Sequence, residues 1–256
     1  MTILAKSSGT MRRLLGAMLL IPVVGLVWYD QKIAGLVVLC LGILMGFETK
    51  RILALPVPIG LIVLAVISVL TTPQWLLSLS PLLMLSLAGL GAIVVGVYVS
   101  QLAAMFVGWL CLCLASASLL LSQPLGHVIL LALAGVIAAC DSAAYFVGRR
   151  VGGPKLWPRV SPNKTISGSL GGLFAAMLGT MLFSTVLGFA GAGEAIFFGL
   201  VIGVLSQAGD LLESAVKRSL NVKDSGSILP GHGGLLDRFD GYVFVFPAAY
   251  VYLFVI

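Results

Sequence analysis

The stretch AIFFGLVIGVLSQAGDLLESAVK, Ala195 to Lys217, holds the fold in miniature. Its first two thirds are apolar and of bilayer-crossing character, and its end turns abruptly polar. Read as one helix, it places Asp210, Glu213, Ser214 and Lys217 at spacings of three and four, on one face. A carboxylate at Asp210 then sits near the depth where a membrane begins, and a charge there is costly without a partner. A divalent cation is the natural partner.

Similar apolar runs recur along the whole chain. Of its 256 residues, 60% are hydrophobic and 9% charged, with a mean hydropathy of +1.14. Soluble domains carry about a quarter charged residues, so the chain cannot keep a soluble surface wet. The expected fold is all-α, a polytopic transmembrane helix bundle of about nine spans. These are Leu14 to Tyr29, Ile33 to Phe47, Ile52 to Leu70, Leu76 to Val99, Leu102 to Leu121, Val128 to Val147, Ser169 to Ala190, Ala195 to Leu212 and Tyr242 to Ile256. The basic start, Met1 to Arg13, precedes a run without a convincing small-residue cleavage site, so an uncleaved first span is expected.

Charge placement supplies an internal test of that count. With alternate connections assigned to opposite sides, one side receives Lys6, Arg12, Arg13, Lys50, Arg51, Arg149, Arg150, Lys155, Arg159, Lys164, Lys217, Arg218, Lys223 and Arg238. Only Lys32 falls opposite. The positive-inside rule makes the cation-rich side cytoplasmic, with the carboxyl terminus outside. The net charge of +6 is thus a topology signal, and no aromatic-interleaved basic patch points to nucleic acid. Cys40, Cys111, Cys113 and Cys140 all lie in apolar runs and read as small buried hydrophobes, not as a disulfide framework or a zinc site.

The chain reads as a single membrane domain, 1–256, whose halves differ in kind. Residues 1–126 are mainly scaffold spans, whereas seven of the nine acidic residues lie in 127–256. Both long polar connections, Gly148 to Gly168 and Glu213 to Gly241, open to the cytoplasm. Small residues four apart, Gly168 with Gly172 and Gly199 with Gly203, would let helices approach closely.

Between Gly209 and Gly241 stand five carboxylates, Asp210, Glu213, Asp224, Asp237 and Asp240, with four cations, Lys217, Arg218, Lys223 and Arg238. Asp237 and Asp240 are three apart at the start of the last span and are expected to share a face, closing the site from the opposite helix. Hard oxygen ligands suit magnesium, which binds through one or two carboxylates and leaves positions for water and phosphate oxygens. The backbone of Gly231 to Gly234 can approach a phosphate closely. Each charge could also merely pair with a neighbour at a helix end. The whole set, beside a Gly-rich turn at a membrane surface, points to a site.

Ser214-x-x-Lys217-Arg218, then Lys223-Asp224-x-Gly226, then Pro230-x-His232-Gly233-Gly234-x-x-Asp237-Arg238-x-Asp240, resembles the signature of the phosphatidate cytidylyltransferases, the CDP-diglyceride synthases. Asp141-Ser-Ala-Ala-Tyr145-x-x-Gly148-Arg149 and Ser161-Pro162-Asn163-Lys164-Thr165-Ile-Ser167-Gly168 resemble two further blocks of that family. One position departs: many members carry Glu where this chain has Ser167. The specific motifs cover Asp141 to Asp240.

The resemblance implies an Mg2+-dependent transfer, with one or two metal ions, of the cytidylyl group of CTP to phosphatidic acid. It implies metal ligands at Asp210 and Asp237, with Asp224 and Asp240 secondary. Lys217, Arg218, Lys223, His232 and Arg238 would complete the catalytic set, His232 carrying a proton or bonding phosphate. Asp141, Tyr145, Arg149, Ser161, Asn163, Lys164, Thr165, Ser214, Gly233 and Gly234 would bind substrate. Membrane lipid as partner, a homodimer, and a bacterial plasma (inner) membrane with the site facing the cytoplasm complete the expectation. Two other readings stand beside it: a CTP-dependent transferase for another lipid phosphate, and a cation-coupled transporter. Glu48, followed by Lys50 and Arg51, is either a charge closing a span or part of the family's similar amino-terminal region. His127 reads as interfacial and Glu194 as an outer loop residue.

Overall fold

The computed structural model describes residues 21–226, 228 and 233–255. Lys6, Arg12, Arg13, Pro230, Gly231 and His232 lie outside the described residues, as do residues 14–20 of the first expected span, of which 21–29 is helical. There follow α1 (Gln31–Ile52), α2 (Val57–Thr71), α3 (Pro81–Tyr98), α4 (Gln101–Leu121) and α5 (Gly126–Val151). A hairpin of β1 (Lys155–Trp157) and β2 (Ser161–Thr165) leads to α6 (Ile166–Leu187) and α7 (Ala192–Ser219). The chain ends in α8 (Leu236–Phe239), a 3-10 turn (Asp240–Tyr242) and α9 (Val245–Phe254).

Six of these helices, α1 and α3 to α7, are long and apolar enough to cross a membrane. The protein is accordingly an integral membrane protein of α-helical build. Of the nine expected spans, the third appears as the 15-residue α2 and the last as the 10-residue α9, both shorter than a simple crossing requires. The connection from Gly148 to Gly168, expected to be a loop, is shorter and more ordered. Helix α5 runs on to Val151, and the remainder folds as an antiparallel hairpin pairing Lys155 with Thr165 and Trp157 with Ser161.

The chain forms two compact units. The first comprises residues up to Val128 together with Val216–Phe239. Helix α4 is its most enclosed element: Leu110, Cys111, Cys113 and Leu120 are all buried. Although two residues apart, Cys111 and Cys113 are both covered because this helix is packed round most of its circumference. Cys40 corrects the expectation of burial, lying exposed on α1. Helix starts follow local chemistry, with Asp30, Ser80 and Ser100 side chains capping the free N–H groups of α1, α3 and α4.

The second unit comprises Ile129–Ala215 and Asp240–Ile256. Without water to expel, helices in a membrane associate by close backbone approach at small residues. A Cβ on Gly172 would lie 3.0 Å from the Cys140 carbonyl, and one on Gly203 would lie 3.1 Å from the Ala176 Cβ. Gly168 and Gly199 are equally confined, so both expected small-residue pairs are contact points. Polar groups add a clamp. Ser169 Oγ donates to Gln207 Oε1, while Gln207 Nε2 donates to the Ser169 carbonyl at 3.0 Å and approaches Cys140 Sγ at 3.9 Å. Thr165 Oγ1 accepts from Gly168 N at 3.1 Å and starts α6; Gly188, at φ +68°, ends it.

Candidate active site

In the second unit the membrane-end carboxylates converge. Asp210, in the last third of α7, pairs with the ammonium of Lys164, carried on β2. Asp141 of α5 lies within electrostatic reach of both. Asp240, opening the 3-10 turn, faces Asp210 and Glu213. Burial, then those two neighbouring carboxylates, push the Asp240 carboxyl well above its usual range. Asp141, Asp210, Glu213 and Asp240 thus form one cluster of acids, with Lys164 paired to Asp210. The close fit of backbone explains how Asp240 arrives there: a Cβ on Gly209 would collide with the Asp240 carbonyl oxygen, and one on Gly241 would lie 2.8 Å from Ser206 Oγ. Ser214, one turn after Asp210, donates to its carboxylate at 3.3 Å, as the helical spacing predicts.

In the first unit a second carboxylate is held with equal care. Lys217 Nζ donates to Asp237 Oδ1 at 2.7 Å. The Ser225 N–H reaches Oδ2 at 2.9 Å, and the Gly234 N–H reaches the same oxygen at 2.9 Å. Burial alone would raise the Asp237 carboxyl, but the Lys217 ammonium and these two N–H groups reverse the effect and hold it below its usual value. Asp237 is therefore an anion with three donors.

Several expectations change in detail. Asp237 and Asp240 do not lie on one helix at the start of a span. Asp237 belongs to the four-residue α8 and Asp240 to the following 3-10 turn, because the helix breaks between Phe239 and Val245, so the two carboxylates have different partners. Thr165 serves first as the cap of α6. Tyr145 and Arg149 pair with each other through a 3.0 Å hydrogen bond on the exposed face of α5. Ser161 and Asn163 lie on β2 with Lys164; Arg218, Lys223, Asp224 and Arg238 are exposed, and Arg218 donates to the Val222 carbonyl at 3.3 Å. Ser167, where the resemblance led one to expect Glu, donates to the Gly152 carbonyl and so ties the hairpin base.

Glu48 is the residue whose importance sequence reading understated. It is 3% exposed, and its carboxylate accepts from Leu235 N at 2.9 Å and Leu236 N at 2.8 Å. Its signals were a single acid at the end of an apolar run, before Lys50 and Arg51, and the similarity of that region to the family's amino-terminal part.

Among the described residues, no group of three or more His, Cys, Asp or Glu side chains is arranged to hold a metal ion. Magnesium does not demand one, since one or two carboxylates suffice when water and phosphate oxygens complete its shell. The donor set is all oxygen, and Asp141 and Asp240 each lie within electrostatic reach of Asp210, so these residues fit a hard divalent ion.

The chain is similar to several named proteins. Phosphatidate cytidylyltransferase of Brucella suis biovar 1 (strain 1330) is 48% identical over 132 residues, covering 52% of this chain and 48% of that protein. The Bacillus subtilis (strain 168) enzyme of the same name is 49% identical over 119 residues, covering 46% and 44%. That of Staphylococcus aureus (strain COL) is 46% identical over 123 residues, covering 47% and 46%. The matches thus span about half the length of these curated relatives. The family match is wider: over residues 10–256 the chain fits, and belongs to, the cytidylyltransferase family.

Proposed function

We propose that this protein is a phosphatidate cytidylyltransferase that converts CTP and phosphatidic acid into CDP-diacylglycerol and pyrophosphate in phospholipid biosynthesis. The observation that carries the reading is the Asp210 cluster, in which Asp141 and Asp240 stand close to a carboxylate paired with Lys164. A cluster of carboxyls is relieved by protonation or by added positive charge, and a nucleoside triphosphate brings a divalent cation with it. Three relatives carrying the name of this activity support the same choice.

The chemistry needs no protein nucleophile. A phosphate monoester is already anionic; one of its oxygens attacks the α-phosphorus of CTP in line, and the bond from that phosphorus to the bridging oxygen breaks, releasing pyrophosphate. Catalysis then consists of positioning and neutralising charge. Asp210 and Asp237 are each proposed as magnesium ligands, and magnesium, when bound, would supply charge neutralisation on the phosphates. Lys164, on its hairpin, is the cation proposed to exchange a carboxylate for a phosphate. Lys217 keeps Asp237 ionised and oriented. The cation-rich connections support a site on the cytoplasmic side, where CTP is found, with the acyl chains in the bilayer.

The test is direct. Purified protein given Mg2+, CTP and phosphatidic acid should release pyrophosphate and place cytidine label in a chloroform-soluble product. Lipid-dependent turnover that survives both Asp210→Ala and Asp237→Ala would remove the metal assignment. Preferential turnover of an isoprenoid phosphate in competition would replace the lipid.

A further inference from the structure

Glu48 stands near the end of α1, in the half of the chain that is otherwise almost free of acids. An ionised carboxylate buried without partners is prohibitively costly, so its partners reveal its use. They lie in the signature stretch more than 170 residues away: Leu235 N on Oε1, Leu236 N on Oε2, and Ser225 Oγ at 3.4 Å from Oε2. Ser225 relays the contact. Its N–H donates to Asp237, and its Oγ accepts from Asp237 N at 3.3 Å.

The glycines of the stretch have a physical reason in the same contact. A Cβ on Gly226 would lie 2.6 Å from Glu48 Oε1; one on Gly234 would lie 3.0 Å from that oxygen and would collide with Ser225 Oγ. The two chain segments close round the carboxylate with no room for a side chain.

We infer that Glu48 is the positioning residue of the proposed transfer, its carboxylate holding Ser225 and the backbone of Leu235 and Leu236 in the arrangement that aims the Asp237 carboxylate. The inference rests on the proposed function for its catalytic consequence, though not for the anchoring itself. Glutamine has the right shape but would turn an N–H donor toward a backbone N–H. Aspartate keeps the charge but falls one methylene short of spanning Leu235 and Leu236.

The experiment compares wild type, Glu48→Gln and Ser225→Ala as full chains in detergent, by hydrogen exchange and by turnover. In Glu48→Gln, amides at Ser225 and Gly234 to Leu236 should exchange at least about tenfold faster while those of α4 are unchanged. The kcat should fall at least about tenfold with KM for phosphatidic acid within about twofold, and raised Mg2+ should restore part of the rate. Ser225→Ala should show both effects more weakly. Unchanged exchange at these amides, or unchanged kcat, overturns the inference. Should Glu48→Gln also loosen α4, Ser225→Ala decides: local loosening with lowered kcat supports the role, and wild-type behaviour ends it. A wild type without turnover would sink the proposed function, while exchange would still decide the anchor.

Discussion

Lys217 and Asp237, 20 residues apart in sequence, meet in a 2.7 Å ion pair whose side chains are 11% and 13% exposed. The helix α7 thereby grips α8 directly, and the carboxylate that the signature presents is held by an ammonium as well as by backbone N–H groups. A pair this enclosed depends on both members, because deleting one takes the opposite charge away from a survivor that is largely shielded from water.

Asp237→Ala should therefore do two separable things. It should abolish pyrophosphate release, and it should lower stability by about 3 kcal/mol, the scale of a broken buried pair. Thermal unfolding in detergent measures the second effect. Asp237→Ala combined with Lys217→Met should recover part of the lost stability and none of the activity.

Lys164 offers a test with opposite signs. If it occupies Asp210 until a cation arrives, Lys164→Met removes a competitor and should tighten Mg2+ binding by a few-fold, about 1 kcal/mol. The same change removes a phosphate contact and should raise KM for CTP by about tenfold. Calorimetric Mg2+ titration and steady-state kinetics read the two effects. Weakened Mg2+ binding would contradict the exchange.

The glycines divide into confined and free positions. Gly209→Ala and Gly234→Ala would drive a methyl into the Asp240 carbonyl and the Ser225 hydroxyl, and both should lose turnover with poor recovery of folded protein. Gly191→Ala and Gly193→Ala meet nothing within 4 Å and should be silent. Yield by size-exclusion chromatography and turnover distinguish the groups.

Gln207→Leu separates packing from chemistry. It leaves Ser169 without its amide partner and should cost about 1 kcal/mol, measured by thermal unfolding. Turnover per folded molecule should stay within about twofold of wild type.

Much of this was legible from residue types alone. The polar end of α7 was readable because helical spacing is local: Ser214 bonds to Asp210 one turn away as expected, and Gly168, Gly172, Gly199 and Gly203 are close-approach points. Less was legible where the chain breaks regularity. Nothing in the alternation of Lys155 to Thr165 was strong enough to announce a hairpin, and the spacing of Asp237 and Asp240 suggested one helix where a short helix yields to a 3-10 turn.

The sequence by itself determined the apolar spans, the sorting of cations to one side, and the motif whose residue types match a cytidylyltransferase. Those properties depend on composition, on periods of a few residues and on fixed spacing. Tertiary structure decided which charge answers which: Lys164 with Asp210, Lys217 with Asp237, and Glu48 with Leu235 and Leu236. The physical reason is that a buried charge is paid for by whatever donor the fold delivers to it, and donors delivered across tens or hundreds of residues leave no periodic trace in the chain.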